Sequence, residues 1–374
     1  MVRLGNCFTI IRNGASIKQI DGASGLPITR IETISKCEIN RDKFGYANIC
    51  DEEKYKDYFL HDDDILMSHI NSEKHLGKCA IYHKEKDEKI IHGMNLLMLR
   101  ANKTVISPQY AVYYFETPFF KQQIVNITKK SVNQASFTVT ALKEIEIPLL
   151  SYEKQNKIVK ILDKLNEIIN KRQQQLKKLD ELVKSRFIEM FGDPVKNEKN
   201  LPLEQLSKIG ILERGKSQYR PRNAPELLGG PYPLIQTGDV SNSNIYITTY
   251  SNTYSELGLK QSKLWEPGTL CITIAANIAQ TAILTFKACF PDSVVGFIPN
   301  NNTNIIFIHY WFGFFQKVLE EQAPQVAQKN INLKILSELK VILPSIELQN
   351  QFADFVKQTD KSKFVIQKSL NYLL

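Results

Sequence analysis

Apolar residues in the middle of the chain fall on a seam. Ile158, Leu162, Leu165, Ile169, Leu176, Leu179, Val183 and Met190 follow alternating steps of three and four, with Arg172 and the Arg186-Phe187 turn filling the gaps. Lys154, Lys164, Glu167, Lys178 and Glu181 take the outer face. A heptad stripe of this kind predicts a long helix that needs a partner. The seam returns 194 positions later as Phe352, Val356, Thr359, Lys363, Ile366, Leu370 and Leu373, so the obvious partner of each helix is the other. Gly192-Asp193-Pro194 supplies stop chemistry for the first helix. At about 38 residues, that helix spans roughly 55 Å at 1.5 Å per residue.

The same offset relates a longer passage. Ser131 to Leu162 and Gln325 to Val356 share Val132, Gln134, Leu142, Glu144, Ser151, Glu153, Gln155 and Asn156 with Val326, Gln328, Leu336, Glu338, Ser345, Glu347, Gln349 and Asn350. Solenoid repeats have periods of about 20 to 50 residues, so this is a domain followed by a helix, written twice. Upstream, LPITRIETI (Leu26 to Ile34) has the register of YPLIQTGDV (Tyr232 to Val240), and each follows a Gly (Gly14, Gly215) that closes an alternating stretch. DDDILMSHI (Asp62 to Ile70) matches EPGTLCITI (Glu266 to Ile274) as a turn followed by a strand. Spacing between the copies differs by about a dozen residues, which predicts loop insertions within residues 36 to 95. Short β-type alternations, Gly/Pro/Asn punctuation and one or two helices per copy predict two similar α+β domains. The segments Tyr110 to Phe120 and Phe307 to Phe315 read as helix faces packed in each core. The expected division is residues 1–150, a long helix over 151–192, a second domain over 193–344 and a second helix over 345–374. A two-fold axis perpendicular to the helices would make that pair antiparallel.

Composition narrows the class. A chain of 374 residues with 43% hydrophobic content is long enough for two cores. No run approaches the roughly 20 apolar residues that cross a bilayer; the greasiest, Ile305 to Phe315, is broken by His309. The first residues, MVRLGNCFTIIRNG, lack a signal-peptide pattern. Cys7, Cys37, Cys50, Cys79, Cys271 and Cys289 show no CxxC spacing and are expected to be buried free thiols of a cytoplasmic protein. A net charge of +9 and a pI near 9.0 are compatible with a polyanionic partner.

Catalytic motifs are wanting. Gly210-Ile-Leu-Glu-Arg-Gly215-Lys216-Ser217 spells the P-loop pattern. That chemistry needs a flexible loop and a helix starting at the Lys-Ser. Here the variable positions alternate like a strand, and Pro221 and Pro225 occupy the place of the helix. No Gly-rich loop for S-adenosylmethionine is evident. His61, His69, His75, His83, His92 and His309 lack metal-ligand or nucleophile–base spacing. Pro291-Asp292 and Glu338-Leu-Lys340 belong to separate segments, the second part of the repeated passage.

Two variable domains, each introduced by a segment like VRLGNCFTIIRNG or LPLEQLSKIGILERGKS and each followed by an IPLLSYEKQNKIVKIL-type helix, resemble the specificity subunit of type I restriction-modification systems. The likeness runs through the whole chain in order. Ile147 to Asp193 and Val341 to Leu374 carry it best, with LPITRIETI, YPLIQTGDV and Gly268 to Ala282. The departure is the second helix, which stops at Leu374, short of a counterpart to FIEMF in the first. The resemblance implies two target-recognition domains, each reading half of a bipartite, asymmetric double-stranded DNA sequence. The paired helices would set the gap between half-sites and dock two modification (methyltransferase) subunits, with restriction subunits joining the complex. S-adenosylmethionine, ATP and Mg²⁺ are expected on those partner subunits, with no catalytic residue, metal or cofactor on this chain. The competing reading is a two-lobed coiled-coil adaptor without sequence-specific DNA binding.

Base reading requires Arg, Lys, Asn or Gln at base edges amid phosphate contacts. The densest candidate is Arg214, Lys216, Gln218, Tyr219, Arg220 and Arg222, a Pro-punctuated run of cations around an aromatic, with Gln236 and Thr237 beyond it. Register equivalents in the first domain are Arg12, Asn13, Lys18, Gln19 and Arg30, with Arg41 and Lys43 nearby. His69 to His75 and Asn277 to Gln280 form a second tier after a strand in each copy.

Overall fold

A computed structural model describes residues 1–35, 37–131, 134–275, 278–322 and 331–373, with backbone alone at 317–322. Val132, Val326, Gln328, Asn277 and Leu374 of the repeat, second-tier and helix expectations lie outside them. The chain divides into two compact units, Met1–Ile168 and Ile169–Leu374.

In unit 1, strands β1 (Phe8–Asn13), β2 (Ile65–Ser68), β3 (Cys79–Ile81) and β4 (Leu96–Ala101) form an antiparallel sheet in the order β1-β4-β2-β3. Helix α1 (Pro108–Phe115) follows, and α2 (Tyr152–Phe191) starts the long seam. In unit 2 the main sheet uses β5 (Gly210–Arg214), β7 (Tyr246–Ile247), β10 (Leu270–Thr273), β11 (Thr281–Leu284) and β13 (Val294–Pro299), ordered β5-β13-β10-β11-β7. A second sheet orders β8 (Asn252–Tyr254), β6 (Leu228–Leu234), β12 (Ala288–Cys289) and β9 (Leu264–Trp265) as β8-β6-β12-β9. Helices α3 (Thr237–Ser241), α4 (Ile305–Gln322) and α5 (Ile346–Asn371) complete the elements used below.

The two sheets share a register. Ile11 and Ile65 both face Leu99 in unit 1, as Leu212 and Leu270 both face Phe297 in unit 2. Ile65 therefore corresponds to Leu270, one residue later than the letters of DDDILMSHI and EPGTLCITI suggest. Asp63 and Gly268, both in the left-handed region (φ 69° and 86°), make the same turn before that strand. Central strands look continuously apolar because both faces are covered. Ile65 and Met67 join the cluster of Phe115 and Phe120, while Leu66 joins Tyr82 and Ile90. Likewise Leu270 and Ile272 meet Trp311, and Cys271 meets Trp265 and Phe290.

The aromatic segments are core helix faces, as expected: Tyr110, Phe115, Phe307, Trp311 and Phe312 are buried. Among the described residues no helix is long and apolar enough to cross a membrane. The cysteine expectation needs correction. Cys7, Cys79, Cys271 and Cys289 are buried free thiols, but Cys37 and Cys50 are exposed free thiols on connecting segments. The insertion reading is also incomplete. Unit 1 is longer between Ile65 and Ile91, whereas unit 2 has 22 positions from Leu212 to Leu234 against 17 from Ile11 to Ile28.

Helix α2 runs 40 residues, about 60 Å, and Gly192, with φ 75°, ends it by donating its N–H to Ile188 O at 2.7 Å. Within unit 2 the C-terminal half of α2 runs antiparallel to α5: Asp180 pairs with Lys363 at 2.6 Å, while Phe187 meets Phe352 at 5.3 Å between ring centroids. Phe187 stacks on Phe307 and Phe191 meets it edge-on, and both anchor this end in the core.

Each long helix is tied to its own unit by one buried glutamine. Gln155 accepts from Ser107 N at 2.9 Å and donates to Val105 O and Leu150 O, both at 2.9 Å. Gln349 accepts from Asn304 N at 2.8 Å and donates to Asn302 O at 3.2 Å and Pro344 O at 2.8 Å. Both side chains are fully buried, and a primary amide is the one side chain whose donor and acceptor ends satisfy a helix start and a loop together. The repeated letter is a repeated joint.

Candidate nucleic-acid interface

The cation-rich segment of unit 2 leaves β5 at Arg214 and turns at Gly215. A Cβ there would lie 2.4 Å from the carbonyl oxygens of Phe290 and Pro291, so only glycine lets the chain pass so near the β12–β13 turn. That passage sets Arg214 Nε on the backbone oxygen of Asp292. Lys216 lies 3.8 Å from Glu213 and its carbonyl accepts from Ser262 Oγ at 3.0 Å. Gln261 Oε1 accepts the backbone N–H groups of Gln218 and Tyr219 at 2.7 and 3.1 Å. Tyr219, 44% exposed, donates its hydroxyl to Glu226 at 3.2 Å. Arg220 donates to Ser217 O at 2.5 Å and to the Asp292 carboxylate at 3.4 Å. Arg222 closes on the other carboxylate oxygen of Asp292 as an ion pair without hydrogen-bond alignment.

Gln236 and Thr237 lie at the start of α3. Gln236 donates its N–H to Asp239 Oδ2 at 2.8 Å, and its side-chain oxygen accepts from Asn252 Nδ2 at 3.3 Å. Arg222, Gln236, Thr237, Gly238 and Ser293 line one cavity of about 310 Å³ over Tyr254 and Pro291. The structure thus joins two segments that the sequence left separate. The P-loop spelling is a paired strand: Gly210 to Arg214 hydrogen-bonds along β13, and no helix starts at Lys216-Ser217.

Unit 1 repeats the frame. Thr29 N donates to Ile91 O at 2.9 Å where Ile235 N donates to Cys289 O at 2.8 Å, and Arg30 N is capped by Thr33 Oγ1 where Gln236 N is capped by Asp239. Arg30 therefore occupies the place of Gln236. It is exposed, 3.6 Å from Glu32, and a side chain at Gly45 would press on both Gln19 and Arg30. Asn13, Lys18 and Lys43 are exposed. Arg12 is half-buried with its guanidinium 5.0 Å above the Tyr58 ring. Arg41 stands apart. Glu88 holds it at 2.8 Å and Glu85 at 3.1 Å, and it donates to His83 O at 2.8 Å. The Glu88 hydrogen bond pushes the guanidinium above its ordinary value, so Arg41 cross-links two turns and its donors are largely used. In the second tier His69 is buried and, by burial, held down to about 4; it packs edge-on to Phe137 rather than facing solvent.

Sequence reasoning missed Gln261 and Ser262, which brace the loop, and set Asp292 aside. Asp292 follows Arg220 by 72 positions, and only the fold of the β12–β13 turn brings them together.

The family model for the type I restriction modification DNA specificity domain matches residues 1–178 and again 199–373. A protein of Methanocaldococcus jannaschii, provisionally named type I restriction enzyme MjaX specificity subunit, is 33% identical over 375 residues, covering 96% of this chain and 85% of its own length. The EcoKI specificity subunit of Escherichia coli K12 is 24% identical over 158 residues, 42% of this chain and 34% of that protein. Among solved structures, a chain from a study of type I R-M complex assembly and conformational transition superposes with a TM-score of 0.61 at 16% identity, covering 100% of this chain and 93% of that one. The S subunit from M. genitalium gives 0.58 at 14% identity, covering 99% and 91%; these two likenesses concern the fold. With the family model on both halves and a relative 33% identical along nearly its whole length, this chain belongs to the type I restriction-modification DNA specificity family.

Proposed function

We propose that this chain is the DNA sequence-recognition subunit of a type I restriction-modification complex, with each unit reading one half of a bipartite, asymmetric target. The observation that carries the reading is the shared frame: in both units an exposed polar residue, Arg30 or Gln236, opens the same short turn by donating its backbone N–H to Thr33 Oγ1 or Asp239 Oδ2, beside a cation-bearing segment. Lysines and exposed arginines meet phosphates and hold the register, while Arg222, Gln236 and Thr237 offer donors and acceptors to base edges. The glutamine joints tie each reader to its own long helix.

The family contributes recognition and leaves catalysis to partner subunits. Two modification subunits dock on the long helices, where Leu182, Ile188, Phe364 and Val365 leave apolar surface exposed, and restriction subunits join them. S-adenosylmethionine, ATP and Mg²⁺ belong to those partners, and the complex works in the cytoplasm on double-stranded DNA. The adaptor reading draws on no feature beyond the helices.

Selection of bound duplexes from a random pool, using the chain with its modification subunits, tests the proposal. Two short fixed blocks separated by an unread gap are expected, with log affinity falling linearly against log salt. A pool that stays random, with affinity indifferent to salt, would leave the adaptor.

A further inference from the structure

Asp292 is electrostatically out of place. A carboxylate beside phosphates raises the free energy of a DNA complex, yet it stands where Arg214, Arg220 and Arg222 meet. Its side chain is 24% exposed, whereas those of Arg220 and Arg222 are 54% and 46% exposed, so the acid lies beneath and the guanidiniums face out. Each guanidinium carries five N–H donors in a rigid fork, so one edge resting on Asp292 leaves others for a base. A free arginine side chain loses rotamer entropy when it reads a base, and an anchor removes part of that loss beforehand. Gln261 does the same for the backbone at Gln218 and Tyr219.

We propose that Asp292 is a positioning residue for base discrimination in unit 2: it holds Arg222 at the cavity shared with Gln236 and Thr237, with Arg220 fixed on the same carboxylate, and lowers overall DNA affinity in doing so. This rests on the reading of that surface as a DNA-recognition site. A merely structural acid would weaken everything when removed. An anchor that trades affinity for discrimination does the opposite to two readouts at once.

The test uses Asp292→Asn in the full chain with its modification subunits. Its probes are the duplex recovered by selection, duplexes with one base pair changed in either half, and an unrelated duplex. Asparagine keeps the shape and removes the charge. Affinity for the unrelated duplex should rise roughly 3-fold or more, and the salt slope should steepen by about one. Discrimination in the half read by unit 2 should fall roughly 10-fold, while the half read by unit 1 keeps its wild-type discrimination and so reports that the variant is folded. Undiminished discrimination in both halves, or a parallel loss of affinity for every duplex, overturns the inference while leaving the recognition role intact. A wild-type complex with no sequence preference overturns both.

Discussion

The two units hold their helices alike and spend their cations differently. Gln155 and Gln349 make the same three bonds to equivalent backbone groups, and the sheets share a register through Leu99 and Phe297. In unit 1, Arg12 lies over Tyr58 and Arg41 is held by Glu85 and Glu88, whereas in unit 2 Arg214, Arg220 and Arg222 gather on Asp292. The extra length of unit 2 between its first strand and Leu234 falls in that cation-bearing segment. The repeat is strict where two readers must be mounted equally and lax where they must read different bases.

The largest expected contrast is toward acid. Burial holds His69 and His92 in unit 1, and His309 in unit 2, down to about 4. An unfolded imidazole titrates near 6.5, so between these values the unfolded chain takes up protons that the folded one refuses. The stability is therefore complete above about pH 7 and is lost as pH falls toward 4, by up to about 3 kcal/mol per histidine. Hydrogen exchange at about pH 4.5 should release the amides of unit 1 before those of unit 2. The opposite order would break this contrast.

Next come the glutamine joints, where the units should behave alike. Gln155→Ala and Gln349→Ala each strand buried backbone groups, at a cost of about 3 kcal/mol. Denaturant unfolding that registers one substitution and ignores the other would show that the joint is not shared. Smaller still are the surface cations. Arg222→Ala should cost about 1–3 kcal/mol of discrimination at one half-site. Lys43→Ala should weaken binding to all sequences and reduce the salt slope by about one. A sequence-selective loss on Lys43→Ala would assign it to base edges instead.

How much of this was legible depends on the range of each interaction. The seam from Ile158 to Met190 could be read because helix periodicity is local, and its positions are the less exposed ones along α2. Gln155 and Gln349 were visible as recurring letters, but their bonds reach back to Val105 and Asn302, 50 and 47 positions away. Ile65 to Ser68 hides its alternation because both faces are buried, which blurred the strand register by one residue. Arg41 looked like a free cation since Glu88 is 47 positions off, and Asp292 looked like an isolated acid since its arginines precede it by 70 or more. Cys37 and Cys50 were misplaced because nothing local distinguishes a thiol on a connecting segment from one in a strand.

The most direct test replaces residues 1–145 with the corresponding unit of another family member, leaving α2 and all of unit 2 in place, and maps methylated motifs in cells carrying the partner subunits. The account predicts that one block of the bipartite motif changes while the other block stays as in wild type. A motif unchanged in both blocks, or altered in both, contradicts the claim that each unit reads its own half.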